Sequence, residues 1–137
     1  MDLQDMVEAI RAAQAIRTSL RIRGGGSKDF YGASLAGEVL DVGGYRGIVA
    51  YEPTELYITA KGGTPLAEVE AALAERGQML AFEPPRLGTA TVGGCVAAGL
   101  SGPRRMQAGG VRDFVLGVGL IDGWGEMLRF GGQVMKN

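Results

Sequence analysis

Apolar residues near the start of the chain recur at helical spacing. They stand at positions i, i+3, i+4 and i+7, which are Leu3, Met6, Val7 and Ile10. Because this spacing places all of them on one face, it predicts an amphipathic helix from residue 3 to about residue 15. Asp2 precedes the first turn and is expected to cap it.

Short runs rich in Val, Ile and Tyr, bounded by Gly, Asp or Pro, predict β-strands further along the chain. These runs are Leu20–Arg23, Glu38–Asp41, Gly47–Tyr51 and Glu55–Ala60. Val111–Ile121 has the same composition and predicts another strand. Met127–Phe130 is expected to pair back on it across a turn at Gly123–Gly125.

A second helix is predicted after residue 63. Thr64 is expected to be its N-cap, Pro65 its first residue and Gly77 its terminator. Its apolar face consists of Leu66, Val69 and Leu73. By contrast, residues 82 to about 110 are rich in Gly and Pro. That composition predicts a long irregular region of the kind that carries binding sites.

Glycine is the outlier of the composition. The chain has 24 glycines among 137 residues, whereas an average protein contains about 7% glycine. Hydrophobic residues make up 46% and charged residues 21% of the chain, so one ordered globular domain is expected rather than a disordered linker. The glycines therefore indicate tight turns and close approaches of the backbone.

Charge and missing residue types exclude several classes of function. A net charge of −1 offers no basic surface for nucleic acid. The absence of histidine excludes hydrolases with a histidine base and histidine-ligated metal sites, so no metal is predicted and a cofactor is expected to carry any reaction. With one cysteine, no signal peptide and no membrane-spanning run, a soluble cytoplasmic protein is expected.

Three consecutive glycines, Gly24–Gly26, follow the first predicted strand. With Ser27 and Lys28 they can point several backbone N–H groups into one concavity, which is a nest for phosphate. A flexible surface turn explains an isolated triplet equally well. The common nucleotide motifs are absent: no Walker loop ends in Gly-Lys-Ser or Gly-Lys-Thr, and Asp29 stands where the third Rossmann glycine would be.

A second segment of small residues and threonines covers Thr89–Gly99. Residues without bulky side chains let backbone amides approach a flat or charged ligand closely. Two such segments in one small domain indicate a large ligand.

Further motifs follow in a fixed order along the chain. The ordered set is Arg23–Lys28, Glu52–Leu56, Gly63–Leu66, Gly77–Leu80, Glu83–Pro85, Thr91–Gly94, Gly99–Arg105, Val111–Gly117 and Phe130–Asn137. It resembles the FAD-binding subunits of bacterial glycolate oxidases, which belong to the vanillyl-alcohol oxidase type of flavoproteins with a PCMH-type FAD-binding domain. The resemblance runs over essentially the whole chain.

The resemblance implies an α+β fold over residues 1–137. A small N-terminal subdomain containing a βαβ unit is expected, followed by a subdomain with a mixed or antiparallel sheet. Members of this family continue beyond the Lys136-Asn137 position with a segment that completes flavin binding and with a cap domain on the substrate side. The chain is therefore expected to be an N-terminal fragment with an incomplete FAD-binding domain.

The resemblance also implies the cofactor-binding residues. In the wider family the first glycine loop wraps the FAD pyrophosphate, and the second continues that contact toward the isoalloxazine. The predicted cofactor-binding residues are Arg23, Gly24, Gly25, Gly26, Ser27, Lys28, Thr91, Val92, Gly93, Gly94, Cys95, Ala97, Gly102, Arg112 and Asp113. No catalytic residue is assigned.

Several polar residues keep two interpretations. Lys28 either meets a phosphate or is solvated, and Arg112-Asp113 is either a flavin contact or a structural ion pair at the start of a strand. Arg104 and Arg105 either balance the pyrophosphate or face a partner, and Glu83 is either catalytic or a strand-end carboxylate. Covalent flavin links in this superfamily use histidine or cysteine. Cys95 is most simply a packing residue, so non-covalent FAD is favoured.

The implied activity is the oxidation of glycolate to glyoxylate by a complex that also contains a homologous FAD-containing catalytic subunit and an iron–sulfur subunit. Three alternatives stay open: a non-catalytic subunit that holds flavin for assembly, a related flavoprotein acting on D-lactate or another 2-hydroxy acid, and a phosphate-binding domain without redox function. The location implied is the cytoplasm, either free or peripheral to the inner membrane through the complex.

Overall fold

The computed structural model describes residues 1–85 and 87–133, and its first element is the predicted helix. Helix α1 spans Leu3–Ala15. Asp2 caps it as predicted, since its carboxylate accepts a hydrogen bond from the Asp5 amide at 2.9 Å. The Asp5 carboxylate accepts one from the Asp2 amide at 2.8 Å, which completes a reciprocal capping box.

Six strands within the described residues form three two-stranded ladders. They are β1 (Leu20–Arg23), β2 (Glu38–Asp41), β3 (Ile48–Glu52), β4 (Tyr57–Ala60), β5 (Gly117–Ile121) and β6 (Met127–Gly131). Strands β1 and β2 are parallel, whereas β3 pairs with β4 and β5 pairs with β6 in antiparallel ladders. The α+β class and the predicted return of the last strand are confirmed.

The crossover between the parallel strands β1 and β2, residues 24–37, consists of turns and bends. It contains no helix of the kind a regular βαβ unit has. The parallel arrangement nevertheless brings the carboxyl ends of both strands to one edge, where the first glycine turn begins.

Strand β4 begins two residues later than predicted. Pro53–Glu55 forms a single turn of 3₁₀ helix, and Leu56 then adopts a left-handed conformation with φ +58°. The proline fixes a φ suited to such a turn, so Glu55 lies in the 3₁₀ turn and not in a strand.

Helix α2 spans Leu66–Ala74, and its N-terminus differs from the prediction. Pro65 is the N-cap, and Thr64 does not cap the helix. The Thr64 hydroxyl, fully buried, instead accepts from the Gly47 amide at 2.9 Å and donates to the Gly47 carbonyl at 3.1 Å. A long-range partner therefore replaces the local cap. Gly77 ends the helix region as predicted, with φ +66°.

The region from residue 82 to 110 is less irregular than predicted. Helix α3 covers Val92–Ala98 and helix α4 covers Arg105–Ala108. Thr91 caps α3 by accepting from the Gly94 amide at 3.1 Å, and Gly99 ends it with φ +65°. The glycine content concealed this helix, because glycine has a low helix propensity.

Helix α5, Val111–Phe114, replaces the first part of the predicted strand Val111–Ile121. Only its second part is extended, as β5. Arg112 and Asp113 thus lie in a helical turn, and the prediction that they open a strand is wrong.

A core of buried side chains joins α2, α3 and α5. Its members are Leu66, Phe82, Ala90, Cys95 and Val111. Burial of each large apolar side chain contributes about 1.5 to 3 kcal/mol. The Phe82 and Phe114 rings add a tilted contact with centroids 5.5 Å apart. Among the helices of residues 1–85 and 87–133, none is long and apolar enough to span a bilayer.

The Thr64 hydroxyl gives a direct test of this packing. Thr64→Val removes both hydrogen bonds to Gly47 and leaves the half-buried Gly47 amide without its acceptor, whereas the Gly47 carbonyl still accepts from the Lys61 amide at 2.9 Å. The free energy of unfolding is expected to fall by about 2 kcal/mol. Thr64→Ser keeps the hydroxyl and should cost about 1 kcal/mol for the lost methyl group. Urea unfolding measures both, and equal losses would contradict the role of the hydroxyl.

Candidate functional site

The turn after β1, Gly24–Lys28, presents its backbone amides without internal partners. None of these amides donates a hydrogen bond to an atom of residues 1–85 or 87–133. Gly26 adopts φ +71°, a left-handed conformation that a side chain would strain. Successive unpaired amides in a turn can form a nest that binds anions. The structure thus has the orphan donors that the glycine triplet suggested.

The second glycine segment lies directly against this turn. The Thr89 hydroxyl donates to the Gly25 carbonyl. A Cβ atom on Gly25 would overlap the Thr89 carbonyl oxygen, and one on Gly24 would lie 2.8 Å from the Thr91 hydroxyl oxygen. The two predicted segments are therefore brought together, and glycine is what permits their approach.

Amides in the second segment are already used inside the protein. The Val92 amide donates to the Thr64 carbonyl at 2.9 Å, and the Gly93 amide donates to the Gly62 carbonyl at 2.8 Å. The Gly94 amide donates to the Thr91 hydroxyl at 3.1 Å. This segment therefore supplies space and support beside the first turn, whereas the first turn supplies the free donors.

Two turns that sequence reasoning did not assign complete the neighbourhood. The Gly43 amide donates to the Asp41 carboxylate at 2.9 Å, which fixes the turn at the end of β2. A Cβ on Gly43 would lie 3.5 Å from the Gly24 carbonyl oxygen. Gly62 faces α3, where a Cβ on Gly93 would lie 2.9 Å from the Gly62 carbonyl oxygen. The doublets at 43–44 and 62–63 were the available signal.

Arg23 and Lys28 have different roles at the first turn. The Arg23 guanidinium donates to the Asp29 carboxylate from Nη2 at 2.9 Å and from Nε at 3.1 Å. This hydrogen bond raises the pKa of Arg23. Lys28 has no ion pair with the residues the structure describes. It is the cation of this turn that is available to a ligand.

Cys95 lies in the core, at the middle of α3. Burial raises the pKa of its thiol, and the nearby positive charge of Lys28 opposes that rise in part. Since the thiolate is the nucleophilic form, a raised pKa makes this cysteine less reactive. The packing interpretation of Cys95 agrees with this position.

Glu83 ties the Gly102–Arg104 turn to the core. Its carboxylate accepts from the Arg104 amide at 2.7 Å, and the Gly102 amide donates to the Phe82 carbonyl at 2.9 Å. Glu83 adopts φ +48°, and no strand of the described residues ends there. Its carboxylate is thus a structural acceptor, and the strand-end interpretation is wrong.

Arg112 and Asp113 do not form an ion pair with each other in the described structure. The Asp113 carboxylate accepts from the Gly110 amide at 2.8 Å and so caps α5. Arg112 lines an open cavity of about 520 Å³ together with Arg105. A larger groove of about 770 Å³ runs past Gly93, Cys95 and Ala97. Both volumes fall within the usual range of ligand sites.

The family assignment follows from comparison with known proteins. The sequence profile of a family described as an FAD binding domain matches residues 2–131. The chain belongs to this family. Its cofactor is FAD, and the PCMH-type fold expected from the sequence is confirmed.

Two curated relatives match this FAD-binding chain with different sequence identity and coverage. Glycolate oxidase subunit GlcE of Escherichia coli is 56% identical over 98% of the chain and 39% of its own length. D-2-hydroxyglutarate dehydrogenase of Xanthomonas citri pv. viticola is 30% identical over 58% of the chain and 17% of its own length. The chain thus spans about two fifths of the first relative and less than one fifth of the second.

A solved structure shares the fold. Phl p 4.0202, a glucose dehydrogenase, superimposes with a TM-score of 0.79 over 94% of this chain and 27% of its own, at 21% sequence identity. At that identity the likeness concerns the fold alone.

The residues present fit a dinucleotide cofactor. A diphosphate needs several hydrogen-bond donors, and the orphan amides of Gly24–Lys28 and the Lys28 ammonium are available as donors. Backbone contact at close range requires residues without side chains, as at Gly24 and Gly25. The described site therefore suits the diphosphate of FAD.

Gly25 gives a test of this site. Gly25→Ala places a methyl group against the Thr89 carbonyl, so the two segments must separate and the amides of the turn must shift. Loss of one or two charge-assisted hydrogen bonds is expected to weaken FAD binding about 10- to 100-fold. FAD titration of the apoprotein measures it. Gly123→Ala, at a position with open space around it, is the matched control and should leave affinity unchanged.

The buried thiol of Cys95 predicts that the flavin is not covalently attached. Because the thiol is buried with a raised pKa, acid precipitation of the flavoprotein should release all FAD and leave a colourless pellet. Cys95→Ala should retain the same flavin content. A yellow pellet that turns colourless in this variant would show a covalent link through Cys95.

Proposed function

We propose that the chain is the FAD-binding portion of a subunit of a glycolate oxidase complex, which oxidises glycolate to glyoxylate. The observation that carries this proposal is the 56% identity to the GlcE subunit over almost the entire chain. The orphan amides at the first glycine turn support it independently, since they suit the diphosphate of the cofactor.

The chain's own residues would hold and orient FAD. The residues proposed to contact it are Gly24, Gly25, Gly26, Ser27, Lys28, Thr91, Val92, Gly93, Gly94, Cys95, Ala97, Gly102, Arg112 and Asp113. Bound FAD would supply a two-electron acceptor for the oxidation of a 2-hydroxy acid. The amides of Gly24–Lys28 and the Lys28 ammonium would bind the diphosphate. The segment Thr91–Ala97 would hold that turn in place from the other side.

Partner subunits are part of the proposal. The GlcE relative is one subunit of a glycolate oxidase. On that likeness we infer that a homologous FAD-containing subunit is the place of substrate oxidation, with an iron–sulfur subunit taking electrons onward. The present chain would then serve flavin binding and assembly. We place this complex in the cytoplasm, either free or at the surface of the inner membrane.

A second candidate is a flavoprotein acting on another 2-hydroxy acid. The 30% identity to a D-2-hydroxyglutarate dehydrogenase over 80 residues favours it. D-lactate is a further substrate of the same chemical type.

Anaerobic reduction of the assembled complex tests these proposals. The purified complex is expected to be yellow and to lose its visible flavin absorbance on addition of glycolate, faster than with D-lactate or D-2-hydroxyglutarate. Faster bleaching by one of the other acids would favour the second candidate. A complex without flavin in this chain would overturn the proposal.

The same complex distinguishes a catalytic from an assembling role. If Gly25→Ala empties only this subunit of flavin, an assembling role predicts that bleaching of the remaining flavin by glycolate persists. A catalytic role predicts that glycolate no longer bleaches the remaining flavin of the complex. Counting the flavin per complex before each assay is the control.

A further inference from the structure

The end of β1 and the glycine turn that follows it share one ion pair. Both Nε and Nη2 of Arg23 donate to Oδ2 of Asp29, at 3.1 and 2.9 Å. Arg21 adds a weaker contact, with its Nη2 3.8 Å from Oδ1 of Asp29. Asp29 therefore receives two arginines from the same strand.

This ion pair closes the glycine turn on itself. Arg23 precedes Gly24 and Asp29 follows Lys28, so their side chains join the two ends of the turn. Within the turn, the Asp29 amide donates to the Gly26 carbonyl at 3.2 Å. Backbone and side chain thus fasten the same loop.

The guanidinium also packs against the turn. A Cβ on Gly26 would lie 2.6 Å from Cζ of Arg23, which is closer than real contacts allow. The positive φ is what favours glycine at position 26, because the overlap involves only the far end of a flexible side chain. The short distance shows that the Arg23 guanidinium lies directly against the turn.

We propose that Arg23 and Asp29 form a positioning pair that holds the amides of Gly24–Lys28 in place for the FAD diphosphate, and that Arg23 does not contact the cofactor. The inference rests on the proposed binding of FAD at this turn, and it replaces the sequence-based expectation that Arg23 is itself a ligand. Preorganisation lowers the ordering cost of binding, so the pair raises affinity without touching the ligand.

The direction in which one substitution changes FAD affinity distinguishes this role from a direct contact. Asp29→Asn removes a negative charge close to the diphosphate site and frees Arg23. If Arg23 bound the diphosphate, this variant would bind FAD as tightly as the wild type or more tightly. If the pair positions the turn, FAD binding weakens, although the site has become more positive.

A double-mutant cycle in the full-length flavoprotein tests the proposal. Arg23→Met and Asp29→Asn are each expected to weaken FAD binding about 5-fold. The double variant is expected to bind FAD no more weakly than either single variant. Arg23→Lys keeps the charge but not the two-donor fork, so it should restore little of the affinity. Tighter FAD binding by Asp29→Asn would overturn the proposal. So would a loss of FAD affinity on Arg23→Met that is equally large in the wild type and in the Asp29→Asn variant.

The pair Arg46–Glu68 is the matched control. Its Nη2–Oε2 distance of 3.1 Å and the exposure of its carboxylate resemble those of Arg23–Asp29, but it lies outside the glycine turn. The corresponding cycle with Arg46→Met and Glu68→Gln should leave FAD affinity unchanged.

A merely structural Arg23–Asp29 pair would show coupling in urea unfolding of the apoprotein and none in FAD affinity of the folded protein. That result would also overturn the proposal. A wild-type protein that binds no FAD would refute the proposed function instead.

Discussion

Contact of main chain against main chain, at positions without a Cβ atom, is the constraint on which the rest of the structure depends. The Gly25 turn lies against the Thr89 carbonyl, and Gly93 lies against the Gly62 carbonyl. Glycine loses more chain entropy on folding than other residues, so this arrangement is costly unless close approach compensates. Here the approach joins turns that are far apart in sequence, and the hydrogen bonds between them depend on that proximity.

Local elements could be predicted because their causes are local. The bounds of α1, β1 and β2 follow from apolar spacing, from the Asp2 cap and from flanking glycines. Helix α3 could not be found in the same way. Its first amides are satisfied by the carbonyls of Gly62 and Thr64, which are about thirty residues away in sequence. Only the Thr91 cap was a local signal, and the glycines that follow obscured it.

The candidate site was predictable in position but not in its division of roles. Both glycine segments were recognised from residue type, and the structure brings them together. Which amides are free depends on tertiary contacts, so the sequence could not separate the Gly24–Lys28 turn from the Thr91–Gly94 segment. Arg23 shows the same limit. A basic residue beside a phosphate nest suggests a ligand contact, whereas its actual partner, Asp29, became evident only from the shape of the turn.

Neutralisation of Arg23 by Asp29 has a consequence for how the site recognises an anion. With that arginine engaged, Lys28 is the cation left at the turn, and the chain as a whole carries a net charge of −1. In the proposed complex with FAD, long-range attraction from these 137 residues would therefore be weak, and affinity would come from short-range hydrogen bonds to the amides of the turn. Such donors distinguish ligands by shape more than by charge, because each amide has a fixed direction. A site of this kind suits a cofactor that stays bound, and it disfavours inorganic anions that offer charge without the length of a dinucleotide.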